Sequence, residues 1–184
     1  MTRVVLSIGS NVGDSLAHLR SVVDALGSAV VAVSPVYVSE PWGGVEQQDF
    51  LNAIVVAEDP DRDSAAWLAF AGEREQAADR VRVERWGPRS LDVDIVVCRD
   101  FMCRDFVCGD IVCGDIVSAD PELTLPHPRA HQRAFVLVPW LDVDPDASLS
   151  VDGVDRPVSE WLASLPEEER ASVSRTDMTL DTPE

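Results

Sequence analysis

The chain has no lysine; all fifteen of its basic residues are arginine. This excludes a P-loop, in which a lysine reaches the terminal phosphates of a bound nucleotide. Long apolar runs are also missing. No stretch approaches the roughly 18 residues of a membrane helix. The start, Met1-Thr2-Arg3 and then a short apolar run, lacks the form of a signal peptide. A cytoplasmic protein with no membrane segment is the expectation. Positive charge is scarce: 33 acidic residues leave a net charge of −18 at pH 7, and a nucleic-acid backbone would be repelled. An anionic nucleotide can still bind where arginine is concentrated and Mg2+ is present. The glycine-rich turn Gly9-Ser10-Asn11-Val12-Gly13-Asp14 lacks G-x-G-x-x-G spacing and reads as a structural strand-to-helix turn. Cysteine is confined to positions 98, 103, 108 and 113 with no C-x2-C pair, which argues against a zinc site.

What is present fits one globular domain. The 184 residues are 46% hydrophobic, enough to bury a core. Arg3 to Ile8 reads as a strand. A helix follows, capped by Asp14 or Ser15, with Leu16, Leu19, Val22, Val23 and Leu26 at helical spacing and Gly27 at its end. Val30 to Ser39 reads as a second strand, with Pro35 marking an edge or a bulge. A long loop, Glu40 to Gln48, leads to a third strand at Phe50 to Ala57. Trp42 in that loop is either a plug for a small core or a lid for a flat ligand. Asp63 caps a second helix reaching about Ala78, and Ser90 to Val97 is a fourth strand. This order, β-α-β-β-α-β, predicts an α+β fold of the ferredoxin-like kind, an antiparallel sheet packed against helices. The domain is expected to span residues 1–165, with a short strand near Glu122 to Pro126, an edge strand near Val151 to Val154 and a small helix from Pro157 to Leu165. Residues 166–184 are polar and expected to form a flexible tail.

Residues 97–116 are four tandem pentads, Val-Cys-Arg-Asp-Phe, Met-Cys-Arg-Asp-Phe and twice Val-Cys-Gly-Asp-Ile, and 117–121 are a decayed fifth. A period of five alternates the cysteines across the faces of a strand and rotates them round a helix, so no four-thiolate cluster forms. The expected form is an elongated hairpin or loose loop leaving the fourth strand, inserted at about 98–116.

The chemistry concentrates just upstream. Asp92 and Asp94 interrupt an apolar strand at i and i+2, on one face, about 6.5–7 Å apart. Such carboxylates repel unless a cation relieves them, and hard oxygen ligands suit Mg2+ completed by phosphate oxygens. Five arginines, 74, 80, 82, 85 and 89, lie within sixteen residues. The competing reading is a solvated charged loop beside an edge strand. Further on, His127, Arg129, His131 and Arg133 fall within seven residues of an acidic chain and suggest an anion site.

Arg85-Trp86-Gly87-Pro88-Arg89-Ser90-Leu91-Asp92-Val93-Asp94-Ile95 resembles the signature of the 6-hydroxymethyl-7,8-dihydropterin pyrophosphokinases, with Ser90 where the family has threonine. Ser7-Ile8-Gly9-Ser10-Asn11, Asp49-Phe50-Leu51-Asn52-Ala53 and Leu125-Pro126-His127-Pro128 with Arg133-Ala134-Phe135 agree in the same order. The resemblance implies transfer of pyrophosphate from ATP to the hydroxymethyl group of the pterin, releasing AMP, in folate biosynthesis. It implies two Mg2+ ions held by Asp92 and Asp94, which with the mobile-loop arginines Arg80 and Arg82 form the catalytic set. It implies ATP contacts from Glu75, Trp86, Arg89, Ile95, Thr124, His127 and Arg133. The pterin would meet Ser39, Pro41, Trp42, Phe50, Asn52 and Phe135, Phe50 standing where the best-known members carry tyrosine. Pro128 stands where some members carry an aromatic. The implied partners are these two small molecules, with a monomer expected and no nucleic acid or membrane. A non-catalytic relative and a thiol-based sensor are the competing classes.

Overall fold

The computed structural model describes residues 1–41, 47–78, 88–103 and 111–180. β1 (Thr2–Ser10) turns into α1 (Ser15–Leu26), where the Asp14 side chain accepts from the Ala17 N–H at 3.0 Å. Gly27, at φ +52°, ends the helix in a region that disfavours a side chain. The single strand expected over 30–39 is two, β2 (Val30–Val33) and β3 (Tyr37–Ser39). Pro35 cannot donate to a ladder, and Ser34 covers the break: its hydroxyl oxygen accepts from the Ile54 N–H at 2.9 Å, and its own N–H donates to the Ile54 carbonyl. β4 (Phe50–Asp59) runs into α2 (Ser64–Ala77), capped by Asp63 on the Ala66 N–H at 2.8 Å.

β5 (Asp92–Cys103) and β6 (Ile111–Asp115) form an antiparallel hairpin carrying the pentads, with Arg99 on Asp115 at 2.7 Å. β7 (Ser118–Ala119) pairs with β8 (Thr124–Leu125), and a short 3-10 turn leads to α3 (Ala134–Val143). β9 (Ser148–Val151) and β10 (Val154–Pro157) make a separate two-stranded sheet instead of extending the main one, and α4 (Val158–Ser164) starts without a side-chain cap. The polar stretch from Pro166, expected as a loose tail outside the domain, contains α5 (Glu167–Ala171) and β11 (Val173–Arg175). β11 pairs with β3, so the edge of the main sheet there has a ladder partner, and Leu180 is buried in the core. Backbone pairing can hold a polar segment that composition alone would leave in solvent.

Among the described residues the main sheet has seven strands in the order β11-β3-β4-β1-β5-β6, with β2 also on β4, and all these pairings are antiparallel. Strand alternation sends Leu6, Ile8, Val55 and Val93 into one core with α1 and α2, and Val5, Ile54, Val56 and Val96 into another with α3 and α4. Trp67 anchors the first core: fully buried, its indole N–H donates to Thr2 Oγ1 at 2.8 Å. Replacing such a side chain by alanine costs about 3–5 kcal/mol. Trp140 and Leu137 fill the second. The β1–β5 ladder contains a bulge. Val5 pairs with Val97 and Leu6 with Ile95, leaving Val96 unopposed, so both Val96 and Val97 enter the second core while Cys98 enters the first. No helix among the described residues is long and apolar enough to cross a membrane.

Candidate active site

The sheet face that packs under α3 is apolar at one end and polar at the other. Continuing the alternation of Val5, Ile54 and Val96 brings Ser7 and Gly9 of β1, Phe50 and Asn52 of β4, and Asp92 and Asp94 of β5 to the same face. These six residues join Ser39, Glu40, Arg89, Arg133 and Phe135 around a single cavity. Asn52 is buried and its amide donates to Ser39 Oγ at 2.8 Å. Gly9 makes room for it: a Cβ there would stand 3.0 Å from Asn52 Oδ1. The Arg89 guanidinium pairs with the Asp92 carboxylate. Arg133 donates to Asp94 Oδ2 at 3.2 Å and lies 5.5 Å from the centre of the Phe135 ring. Each carboxylate thus has its own arginine, which offsets their mutual repulsion.

A buried amide ties the neighbouring loops together. Asn11 Oδ1 accepts from the Arg89 N–H at 2.8 Å, and its Nδ2 donates to Gln47 Oε1 at 3.0 Å and to the Gln48 carbonyl at 2.9 Å. It joins the residues that directly follow positions 42–46 to those that follow 79–87.

A second groove crosses the free edge of β5. α2 supplies Leu68, Ala71 and Glu75, β5 supplies Val93, Asp94 and Ile95, and the far bank is Thr124, His127, Pro128 and Arg129. Glu75 Oε1 accepts the outward-pointing Val93 N–H at 3.0 Å. The His127 N–H donates to the Val96 carbonyl at 2.8 Å, which fixes this segment to the bulge. His127 Nδ1 accepts from the Arg129 N–H at 3.2 Å, so in the neutral ring the proton sits on Nε2. That nitrogen is 3.8 Å from Asp94 Oδ2. Burial, and then the charges of Arg133 and Arg129, push the His127 pKa down to about 4. Its imidazole is therefore neutral near pH 7, with its N–H toward Asp94. Asp94 lines both the cavity and the groove.

The family model for 7,8-dihydro-6-hydroxymethylpterin-pyrophosphokinase (HPPK) matches residues 5–145, a span that includes both sites. The chain belongs to this family. A pyrophosphokinase family makes it a diphosphotransferase. A 2-amino-4-hydroxy-6-hydroxymethyldihydropteridine pyrophosphokinase of Mycobacterium leprae is 54% identical over 180 residues, covering 98% of this chain and 92% of its own. The Mycobacterium bovis protein of the same name is 53% identical over 173 residues, covering 94% and 89%. A crystal structure of Plasmodium falciparum HPPK-DHPS wild type with SDX-DHP superposes with a TM-score of 0.58 at 12% identity, a likeness of fold. It covers 87% of this chain, which spans 43% of the Plasmodium one.

Within this pyrophosphokinase the residues expected from sequence divide cleanly. The cavity gathers Ser39, Phe50, Asn52, Arg89, Asp92, Asp94, Arg133 and Phe135, and the groove gathers Glu75, Ile95, Thr124 and His127. Pro41 lines neither. Trp42, Arg80, Arg82 and Trp86 lie outside the described residues. Sequence reasoning did not single out Ser7 or Gly9 as lining residues, or Asn11 as a tie, whereas Arg129, named there within a candidate anion cluster, does line the groove. For Ser7 and Gly9 the signal was available: they are small or polar at every second position of an otherwise apolar strand. Cys98 is buried, and that burial, helped by Asp100, raises its thiol pKa to about 11, so it is an inert core residue and no reactive thiol. Among the described residues no three or more His, Cys, Asp or Glu side chains are grouped to hold a metal ion.

Proposed function

We propose that the protein transfers the pyrophosphoryl group of ATP to the hydroxymethyl group of 6-hydroxymethyl-7,8-dihydropterin, giving the pterin diphosphate and AMP, as a monomeric, cytoplasmic enzyme of folate biosynthesis. The observation that carries this reading is the meeting of two differently shaped sites at Asp94. The cavity suits a flat heterocycle. Phe50 and Phe135 offer ring faces, and the buried Asn52–Ser39 pair offers amide and hydroxyl groups to its polar edge. The groove suits a nucleotide, with an apolar bank from α2 and a facing bank where the neutral His127 imidazole and the Arg129 cation stand. Its Glu75 carboxylate stands where a ribose hydroxyl could donate to it.

In this reading Asp92 and Asp94 hold Mg2+. Two hard carboxylates leave most of an octahedral shell to phosphate oxygens and water, which fits the ion. When bound, Mg2+ neutralises the triphosphate and activates the pterin hydroxyl. Arg89 and Arg133, which pair with these carboxylates, would bind phosphate oxygens, while the His127 Nε2–H would donate to one. Catalysis of this transfer is mostly positioning and charge neutralisation. Arg80, Arg82, Trp42 and Trp86 are assigned to closure over the bound substrates. We read the single domain as ferredoxin-like; the strand order β3-β4-β1-β5, antiparallel throughout with α1 and α2 on one face, supports this.

The test is release of AMP from ATP with purified protein. AMP should appear only when the pterin and Mg2+ are both supplied, and Asp94→Asn should lower turnover by about two orders of magnitude or more while the protein stays folded. AMP release without pterin, or near-normal turnover in that variant, would refute the assignment. Binding of both ligands without turnover would favour a non-catalytic relative.

A further inference from the structure

We propose that the C-terminal segment Glu167–Arg175 positions both walls of the pterin cavity, and that Glu169 is its positioning residue. This rests on the function proposed above. One wall is the stem of the loop after β3. There Val173 pairs with Ser39, and the Glu40 N–H donates to the Ser172 carbonyl at 3.3 Å. The other wall is the start of α3, which carries Arg133 and Phe135. The first N–H groups of a helix have no partner inside it, and Arg133, at the N-cap, makes no capping bond with its side chain. Glu169 supplies one from outside: its Oε1 accepts the Ala134 N–H at 3.2 Å. An anionic group at that end also suits the helix dipole.

The two attachments lie three residues apart, Glu169 within α5 and Ser172 at its C-cap. Ser172 Oγ donates to the Glu169 carbonyl at 2.8 Å, so the residue holding Glu40 is bonded to the residue holding Ala134. Ser39, Glu40, Arg133 and Phe135 all line the cavity, and the bonds from Glu169 and Ser172 run to Ala134 and Glu40 beside them, on the cavity side of the molecule. The separation between the Phe135 ring and the Ser39–Glu40 edge is thus set by the segment. A flat ligand wedged between them senses that separation directly, whereas a nucleotide in the groove meets the segment only through Arg133, which its pairing with Asp94 also holds in place. Further along, the Thr176 N–H donates to the Val36 carbonyl at 3.0 Å, and Leu180 is buried in the core, so the segment is held at its far end independently of Glu169.

The experiment compares Glu169→Ala, which removes the acceptor, with Glu169→Gln, which keeps an oxygen able to accept from Ala134. KM for 6-hydroxymethyl-7,8-dihydropterin, Kd for an unreactive ATP analogue without pterin, and the melting temperature are measured for each. In the alanine variant the pterin KM should rise about five- to tenfold, the affinity equivalent of one lost hydrogen bond. The analogue Kd should stay within about twofold, and the glutamine variant should behave like the parent. Equal weakening of pterin and nucleotide would overturn the proposal in favour of a purely structural brace. So would an unchanged pterin KM, or a glutamine variant as impaired as alanine. If Glu169→Ala does not fold, Ser172→Ala, which cuts the link between the two attachments, must show the same pterin-selective loss. Failure of the underlying functional reading looks different, because the unmodified protein would then release no AMP with the pterin.

Discussion

The stretch 97–116 is built of Val, Ile, Phe, Met and Cys among its charges, whereas 166–180 opens with a proline and Glu167-Glu168-Glu169-Arg170. By composition the first should sit inside and the second outside. The fold does not sort them that way: Val97, Cys98 and Ile116 at the ends of the first do meet a core, and so does part of the second. Beyond Asp100, β5 has left β1 and pairs only with β6 among the described residues, so this part of the hairpin extends the sheet past the end of β1. The polar stretch instead supplies β11 to the opposite edge, contributes Met178 and Leu180 to a core, and meets the walls of the site. What separates them is where their backbone groups find partners. A hairpin satisfies its own ladder and can be lengthened without asking anything of the body, whereas a lone strand must borrow a neighbour's edge. Composition measures the first kind of cost and is silent on the second.

The harshest test of this contrast is to end the chain after Pro166. The shortened protein loses β11, the Leu180 anchor and the Glu169 bond. It should be destabilised by about 3–6 kcal/mol, the size of a buried large side chain together with several hydrogen bonds. Thermal unfolding would reveal this as a melting temperature lower by about 6–24 °C; a loss of only a degree or two would make the segment an ornament. A smaller cut removes a single pin. The Tyr37 hydroxyl donates to Asp142 Oδ2 at 2.7 Å, and Arg175 of β11 reaches the same oxygen at 3.4 Å. Tyr37→Phe should cost about 1–2 kcal/mol in urea unfolding.

That pin also has a pH signature. Burial, then the bond to Asp142, raises the Tyr37 pKa from 10.0 to about 12. The raised value means a contribution fully present below pH 10 and lost as pH climbs through 12, because only the unfolded chain ionises in that window. Cys98, raised to about 11, adds a loss of the same sign starting lower. The Tyr37→Phe protein should therefore keep the Cys98 part of the alkaline decline and lack the part between pH 10 and 12. An unchanged decline would remove Tyr37 from this role.

The mildest effect belongs to the pentads. Deleting Arg99 to Cys113 joins Cys98 to Gly114, and the Ile116 N–H already donates to the Cys98 carbonyl at 2.8 Å. After the deletion those two residues stand at the ends of Cys98-Gly114-Asp115-Ile116, where the same bond closes a β-turn with glycine at its first central position. Among the described residues the loss is the Arg99–Asp115 pair, the Arg99 bond to the Ser148 carbonyl, the exposed Met1–Asp100 pair and two rungs on β1, about 1–2 kcal/mol for a partly exposed ion pair and one hydrogen bond. Melting temperature and pterin-dependent AMP release should change little. Collapse of either would mean that the hairpin belongs to the body after all.

Much of the framework was legible because its causes are local. Asp14 and Asp63 cap where a helix must start, Pro35 breaks a strand because it cannot donate, and alternation alone puts Asp92 and Asp94 on one face. The motif around Asp92 also announced its partners in chemistry. The arginine pairings of Asp92 and Asp94, the Asn11 tie and the Glu169 bond were not legible. Each joins residues whose approach is decided by packing of the whole sheet, and a lone Asn or Glu has the same sequence appearance whether it meets solvent or a buried N–H. The tail was misread for the same reason: an unpaired strand edge is visible only once strand order is known.

The unopposed Val96 has an effect on how the gene can change. It shifts the phase of the pleat between the acidic pair and the repeats, and its carbonyl is already taken by His127. The setting of Asp92 and Asp94 is therefore determined upstream of that joint, by their own rungs on Ser7 and Gly9. Repeat units can be gained or dropped beyond it by copying slippage without rotating the carboxylates out of the cavity. Selection has to guard the phase of the four rungs from Leu6–Ile95 to Gly9–Asp92, and can leave the length of the strand to drift.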